Sequence, residues 1–136
     1  MYIVEMTNLD FEEIKDKLKE EFDDFWNENI LKEEILNNQY FTCKEENEIV
    51  GFAGFRIITD EAELMNIVVK KDKRREGIGK ALLEKIIEVL KNLNIKVLKL
   101  EVNAKNVSAI NLYRSLGFSQ VRIKKKILRW RRCNFI

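Results

Sequence analysis

The sequence predicts an α/β fold, a mixed sheet with helices on both faces, and three observations carry that expectation. Apolar residues recur with period 2 in some stretches and at helical spacing in others, and the two patterns alternate along the chain. A strongly amphipathic stretch, "GKALLEKIIEVLKNL", separates two strand-like segments in the manner of a strand-helix-strand unit. The 136 residues contain no proline, no repeat and no linker-like run, so residues 1–136 read as one domain, long enough to bury a core.

The elements follow in order. "YIVEM" opens as a short strand. Asp10 can cap a helix through "FEEIKDKLKEEF", where Phe11, Ile14, Leu18 and Phe22 form a stripe at helical spacing. "ILKEEILNN" reads as a second helix. "YFTCKEENEIVGFAGFRIITD" holds two strands about the polar turn "EENE", a hairpin pattern. "AELMNIVVKK" is a strand apolar on both faces through "NIVV", which suits a central position. The amphipathic helix comes next, followed by "KVLKLEVN", which sets Leu98, Leu100 and Val102 on one face and Lys99, Glu101 and Asn103 on the other. From residue 64 to 102 the strand-helix-strand unit should be a right-handed crossover. Asn106 can cap a helix in "VSAINLYRSL" that stops at Gly117, and "FSQVRIKK" begins a further strand.

Composition excludes some chemistry. Histidine is absent, so any general base is a carboxylate, a lysine, a tyrosine or water, and Ser-His or Cys-His nucleophiles are excluded. Cys43 and Cys133 have no metal-ligand spacing, which implies no metal and a reduced, cytoplasmic setting. Apolar runs are too short to span a bilayer, and the start of the chain lacks the basic-then-apolar order of a signal peptide. The net charge of +2 hides a strong polarity. Residues 1–66 hold 18 acidic and 6 basic side chains, whereas residues 67–136 hold 5 acidic and 19 basic. Such polarity can draw an anionic ligand to the second half and a cationic one to the first, or simply describe two solvated faces.

Two stretches carry chemistry. "RREGIGK", Arg74 to Lys80, lies between the buried strand and the long helix. Its glycines permit a tight turn and close backbone approach, and the helix N-terminus offers unpaired N–H groups and a positive dipole end. With Arg74, Arg75 and Lys80 alongside, it reads as a pyrophosphate cradle. It reads equally as an ordinary strand-helix turn, and it is neither a Walker loop nor a first-strand dinucleotide motif. The second stretch, "LEVNAKNVSAINLYRSLGF", carries no chemistry by spacing alone: Glu101 can be an exposed strand charge and Tyr113 a packed helix residue.

Together the two resemble a known family. "RREGIG" is similar to the Arg/Gln-x-x-Gly-x-Gly/Ala signature of the GNAT superfamily of N-acetyltransferases, and the second stretch to its fifth strand and following helix. Across residues 45–125 the pattern most resembles the RimI branch, which acetylates the N-terminal alanine of a small-subunit ribosomal protein. The resemblance implies a mostly antiparallel sheet and acetyl-CoA as cosubstrate. It implies that the backbone of Ile67, Val68 and Val69 pairs with the pantetheine arm. The segment Arg74, Arg75, Glu76, Gly77, Ile78, Gly79 and Lys80 would hold the pyrophosphate, and Asn106 would bond the cofactor. Glu101 would be the general base and Tyr113 the general acid. The implied partner is a protein N-terminus, a ribosomal one foremost, with a small-molecule amine or lysine as the alternative acceptor. Phe25 and Trp26, in "DDFWNEN", would form a lip of the peptide groove or an aromatic anchor. Neither membrane nor direct nucleic-acid binding is expected, and the chain would be a monomer or weak dimer.

The last thirteen residues, "KKKILRWRRCNFI", depart from the branch. Where the branch has two tyrosines and an acidic turn that help to line the peptide site, this chain has Ile127, Leu128 and "RWRR". Permissible codons for "ILRWRRCNFI", read one base later, encode "YYDGEDAIL", and the preceding lysines would be an adenine run. Residues 127–136 are therefore read as a frameshifted tail, with the closing strand shortened or mispaired and a sheet edge left open. The competing reading is a genuine divergent tail that binds RNA or a ribosomal surface through its cations. Two further readings stand beside catalysis: a coenzyme A-binding module with impaired turnover, and an RNA-binding adaptor.

Overall fold

The computed structural model describes residues 1–22, 27–124 and 127–133. In chain order these form β1 (Tyr2–Glu5), α1 (Asn8–Ile14), α2 (Glu28–Asn37), β2 (Gln39–Glu45), β3 (Glu48–Ile58) and β4 (Glu61–Val69). Then come α3 (Ile78–Asn92), β5 (Val97–Asn103), α4 (Val107–Ser115), β6 (Ser119–Lys124) and β7 (Ile127–Cys133). The strands hydrogen-bond in the order β1-β2-β3-β4-β5-β7-β6. β4 and β5 run parallel, while β1/β2, β2/β3, β5/β7 and β6/β7 are antiparallel. This is the mixed, mostly antiparallel sheet flanked by helices that the sequence predicts, with the apolar "NIVV" strand in the middle of seven. The chain divides into two compact units, Met1–Arg56 with Met65–Ile86, and Ile57–Leu64 with Ile87–Ile136.

In the first unit, α1 starts earlier than the acidic pattern suggests, because Thr7 rather than Asp10 is the cap. The Thr7 hydroxyl accepts the Asp10 N–H at 3.2 Å, and the Asp10 carboxylate accepts the Thr7 N–H at 3.0 Å, a reciprocal capping box. The helix ends at Ile14 instead of running to Phe22, and a π-helical turn follows at Leu18–Phe22. The wider turn keeps the stripe inward: Phe11, Ile14, Leu18 and Phe22 are all buried in one cluster with Leu31, Tyr40, Ile49, Phe52 and Val68. β2 and β3 join through Glu46 and Asn47, both at positive φ, a two-residue hairpin turn whose twist matches the strands. Gly54 makes room for its cross-strand neighbour: a Cβ there would lie 2.2 Å from the Tyr40 ring. The "DDFWNEN" aromatics Phe25 and Trp26 lie outside the described residues.

In the second unit, β5 buries Leu98, Leu100 and Val102 as its alternation predicts. Asn106 caps α4 by accepting the Ala109 N–H at 3.2 Å, and Gly117 ends the helix at φ +89. The closing strand is altered in sequence but not shortened or mispaired. β7 pairs with β5 through all seven residues, from Val97↔Cys133 to Asn103↔Ile127, and with β6 on its other side. No open edge remains at its place; the outermost strands of the order are β1 and β6. The reason is an alternation hidden by the arginines: Trp130 is buried and Leu128 partly buried, while Arg129 and Arg131 are exposed and meet carboxylates.

Candidate functional site

The first unit carries the glycine-rich loop. β4 leads into it with Ile67 half-buried, Val68 buried and Val69 half-buried. The parallel register of β4 with β5 covers Ala62↔Leu98 and Glu63↔Lys99, so Ile67–Val69 lie beyond it along the strand. Arg75 and Gly77 turn the chain with φ of +67 and +82, and a Cβ on Gly77 would meet nothing within 4 Å. Gly77 is thus the open corner from which α3 begins: its carbonyl accepts the Ala81 N–H at 3.0 Å. Glycine offers no capping side chain, and the N–H groups of Ile78, Gly79 and Lys80 in the first turn have no partner within the helix. Ile78 fixes the helix start. It is buried, and its Cγ2 would lie 3.0 Å from a Cβ on Gly51, so a side chain there would crowd it.

The cations of the loop are not alike. Arg74 is exposed but folds back on the chain, its Nε donating to the Val69 carbonyl at 3.2 Å and its Nη2 to the Phe22 carbonyl at 2.7 Å. It braces the loop against β4 and the π-helical turn. Arg75, Glu76 and Lys80 are exposed.

The second unit holds the other residues implied by the resemblance. Asn106 uses its Oδ1 as the α4 cap, which leaves its amide N–H groups as donors. Tyr113 is 5% exposed, with its ring 5.8 Å from that of Phe118. Burial pushes its phenol up to about 12, so it stays protonated through the neutral range. Glu101 stands on the exposed face of β5 and has a partner that sequence spacing gave no hint of. The Arg129 guanidinium donates to its carboxylate at 2.5 Å, from directly across the β5/β7 pair. Glu101 and Arg129 line a small open depression with Glu63, Lys99 and Leu100. Beside it, Glu61 takes Lys99 at 3.1 Å and Arg131 at 3.3 Å.

A third group was missed by sequence reading. In the first unit the Glu34 carboxylate of α2 accepts from the Tyr40 hydroxyl at 2.9 Å, from Asn66 Nδ2 at 3.3 Å and from Asn38 Nδ2 at 3.2 Å. Asn66 also donates to the Tyr40 hydroxyl at 3.3 Å. Burial pushes the Tyr40 phenol well above its ordinary value; Asn66 acts against this and the Glu34 charge adds to it. Nothing local announces this network, because its members come from three elements.

No group of three or more His, Cys, Asp or Glu side chains able to hold a metal ion occurs among the described residues. No helix among them is long and apolar enough to cross a membrane. Comparison with known proteins agrees with the geometry. The [ribosomal protein bS18]-alanine N-acetyltransferase of Escherichia coli (strain K12) is 41% identical over 85 residues, 62% of this chain and 57% of that protein. The aligned stretch thus spans little more than half of that relative's length. The crystal structure of the ribosomal-protein-S18-alanine N-acetyltransferase from Escherichia coli superposes with a TM-score of 0.88 at 28% identity, covering 98% of this chain and 93% of that one. A PaiA N-acetyltransferase from Thermoplasma acidophilum, solved in complex with coenzyme A, shares the fold at a TM-score of 0.79, 17% identity, and 98% and 99% coverage. The model of the Acetyltransferase (GNAT) family matches residues 3–118, from β1 through the end of α4, and the chain belongs to that family.

Proposed function

We propose that the chain transfers an acetyl group from acetyl-CoA to the N-terminal α-amine of a protein, a ribosomal one foremost. The observation that carries this reading is the likeness to the Escherichia coli S18-alanine enzyme, which extends over 98% of the chain. The loop fits the cosubstrate. The first-turn N–H groups of α3, the open corner at Gly77 and the exposed Arg75 and Lys80 suit a pyrophosphate. The backbone of Ile67–Val69 would take the pantetheine arm as an added strand, and the Asn106 amide would donate to it. Acetyl-CoA would supply the activated acyl carbon.

The residues then divide the chemistry. An α-amine with pKa near ~8 needs little help to lose its proton, and Glu101, directly or through water, would receive it. Backbone N–H groups of the Ile67–Val69 segment would steady the oxyanion as the amine adds. Tyr113 would return a proton to the departing thiolate, so one proton leaves the amine, one reaches the thiol, and no covalent enzyme intermediate forms. The assay is thiol release from acetyl-CoA in the presence of an alanine-leading peptide. Glu101→Gln and Tyr113→Phe should each lower turnover by about 10²-fold or more, with acetyl-CoA affinity nearly unchanged. Parent turnover in both variants would overturn these roles.

A second reading, a coenzyme A-binding chain with impaired turnover, is favoured by the Arg129–Glu101 pair. A guanidinium bonded to the carboxylate occupies an oxygen that the amine or its water would need. Under this reading Arg129→Ser should raise turnover in the same assay, and a further fall would remove its support.

A further inference from the structure

The Glu34 network has no role in the acyl-transfer chemistry above, and three of its features point to a ligand. Glu34 is a half-buried carboxylate whose partners among the described residues, Tyr40, Asn38 and Asn66, are all neutral donors. They fix the carboxylate in place, and none of them is a counter-ion for its charge. Second, Glu34 lies near the C-terminal end of α2, where the helix dipole is negative, and the last turn contains no basic residue. Third, Asn66 directly precedes Ile67–Val69 on β4, the segment proposed to receive the thioester, in the same compact unit. A fixed negative charge bonded to the residue next to the proposed acyl end is a place for a cation.

We infer that Glu34, oriented by Tyr40 and Asn66, is an acceptor subsite for a positive charge carried next to the amine that is acetylated. The inference rests on the acetyl-transfer reading and names the acceptor class within it. The reacting amine must shed its proton before it attacks, so a permanent negative charge matches a group that stays charged. That group is a guanidinium or a second ammonium, such as a basic side chain at the peptide's second position. A guanidinium suits the geometry through Oε2, which accepts only from Asn38 and keeps a lone pair, whereas Oε1 already accepts from Tyr40 and Asn66.

The test uses two short peptides identical except at the second residue, one beginning Ala-Arg and the other Ala-Gln. Arginine serves because its side chain is not a competing acceptor. The arginine peptide should show an acceptor KM about tenfold lower with the parent chain, as for a hydrogen bond to a charged partner. In Glu34→Gln, which keeps the shape and loses the charge, that ratio should fall to near unity. Glu34→Asp, which keeps the charge and draws it back, should retain part of it. Calorimetric titration of both peptides into the coenzyme A-loaded chain reads the same preference without turnover. If the preference appears in binding and vanishes in Glu34→Gln while no acetyl is transferred, the subsite stands and the transferase reading falls. Equal affinity for both peptides in the parent chain, or an undiminished preference in Glu34→Gln, overturns the subsite.

Discussion

Asp10 shows how much one side chain can serve. It completes the α1 capping box, forms an ion pair with Lys44 at 2.8 Å and accepts from the Thr42 hydroxyl at 3.3 Å, all while 4% exposed. Burial pushes its carboxyl up, but the Lys44 and Thr7 hydrogen bonds outweigh that and hold it below the ordinary value. A depressed folded value means that its contribution is complete above the unfolded value and is lost as pH falls through the folded one. Asp10→Asn should therefore cost about 1–3 kcal/mol at neutral pH, and the gap between parent and variant should close below about pH 4. Thermal melts across that range check it; a gap that stays constant into acid would show that the charge contributes nothing. Asp10 also marks a limit of sequence reading. Acids favour the cap position, yet Thr7 three residues earlier is the cap and Asp10 closes the box from within the helix.

Among the elements, β7 was the one the sequence hid. The stripe of α1, the long helix, the Asn106 cap and the Gly117 stop were legible because each depends on residues within a turn or two of one another. β7 was not, since arginines filled its outward positions and their carboxylate partners lie 28 and 70 residues away. The same distance hid Arg129 at Glu101 and the Glu34 network, whose members are up to 32 residues apart. The inward side of the strand fits less well than its backbone. Trp130 is 2% exposed, and its indole N–H is buried with no acceptor among the described residues. Its ring still serves, with the Arg114 guanidinium 5.5 Å from its centroid. Trp130→Phe keeps an aromatic face and removes the orphan donor, so it should stabilise the chain by about 1 kcal/mol, a rise of roughly 3 °C in Tm. A lower Tm would mean that the ring's size matters more than its donor. An unsuited donor at a well-paired backbone position is what a frameshifted strand would leave behind.

At the scale of the whole molecule, charge polarity gives the reading a measurable face. The basic half contains the loop proposed to hold a polyanionic cosubstrate, so the KM for acetyl-CoA should rise several-fold between about 50 and 300 mM salt. Unfolding temperature should move little over the same range, because the core is apolar. A KM indifferent to salt would place the polarity among ordinary solvated faces. The glycine loop was legible in the sequence because phosphate binding is a backbone property announced by glycines. Which cations would serve the ligand was not legible, since Arg74, though exposed like Arg75, is bonded to the Val69 and Phe22 carbonyls. The seat of β7 between β5 and β6 has one more consequence. Both neighbours bond to its peptide groups, and on the outward side they ask of its side chains only that they alternate. The seat therefore accepts many sequences, and a chain ending at Lys124 should recruit a separate strand-forming peptide in trans. Evolution, or a chemist, could exchange the residues at positions 127–133 by replacing that one strand and leave the rest of the protein as it is.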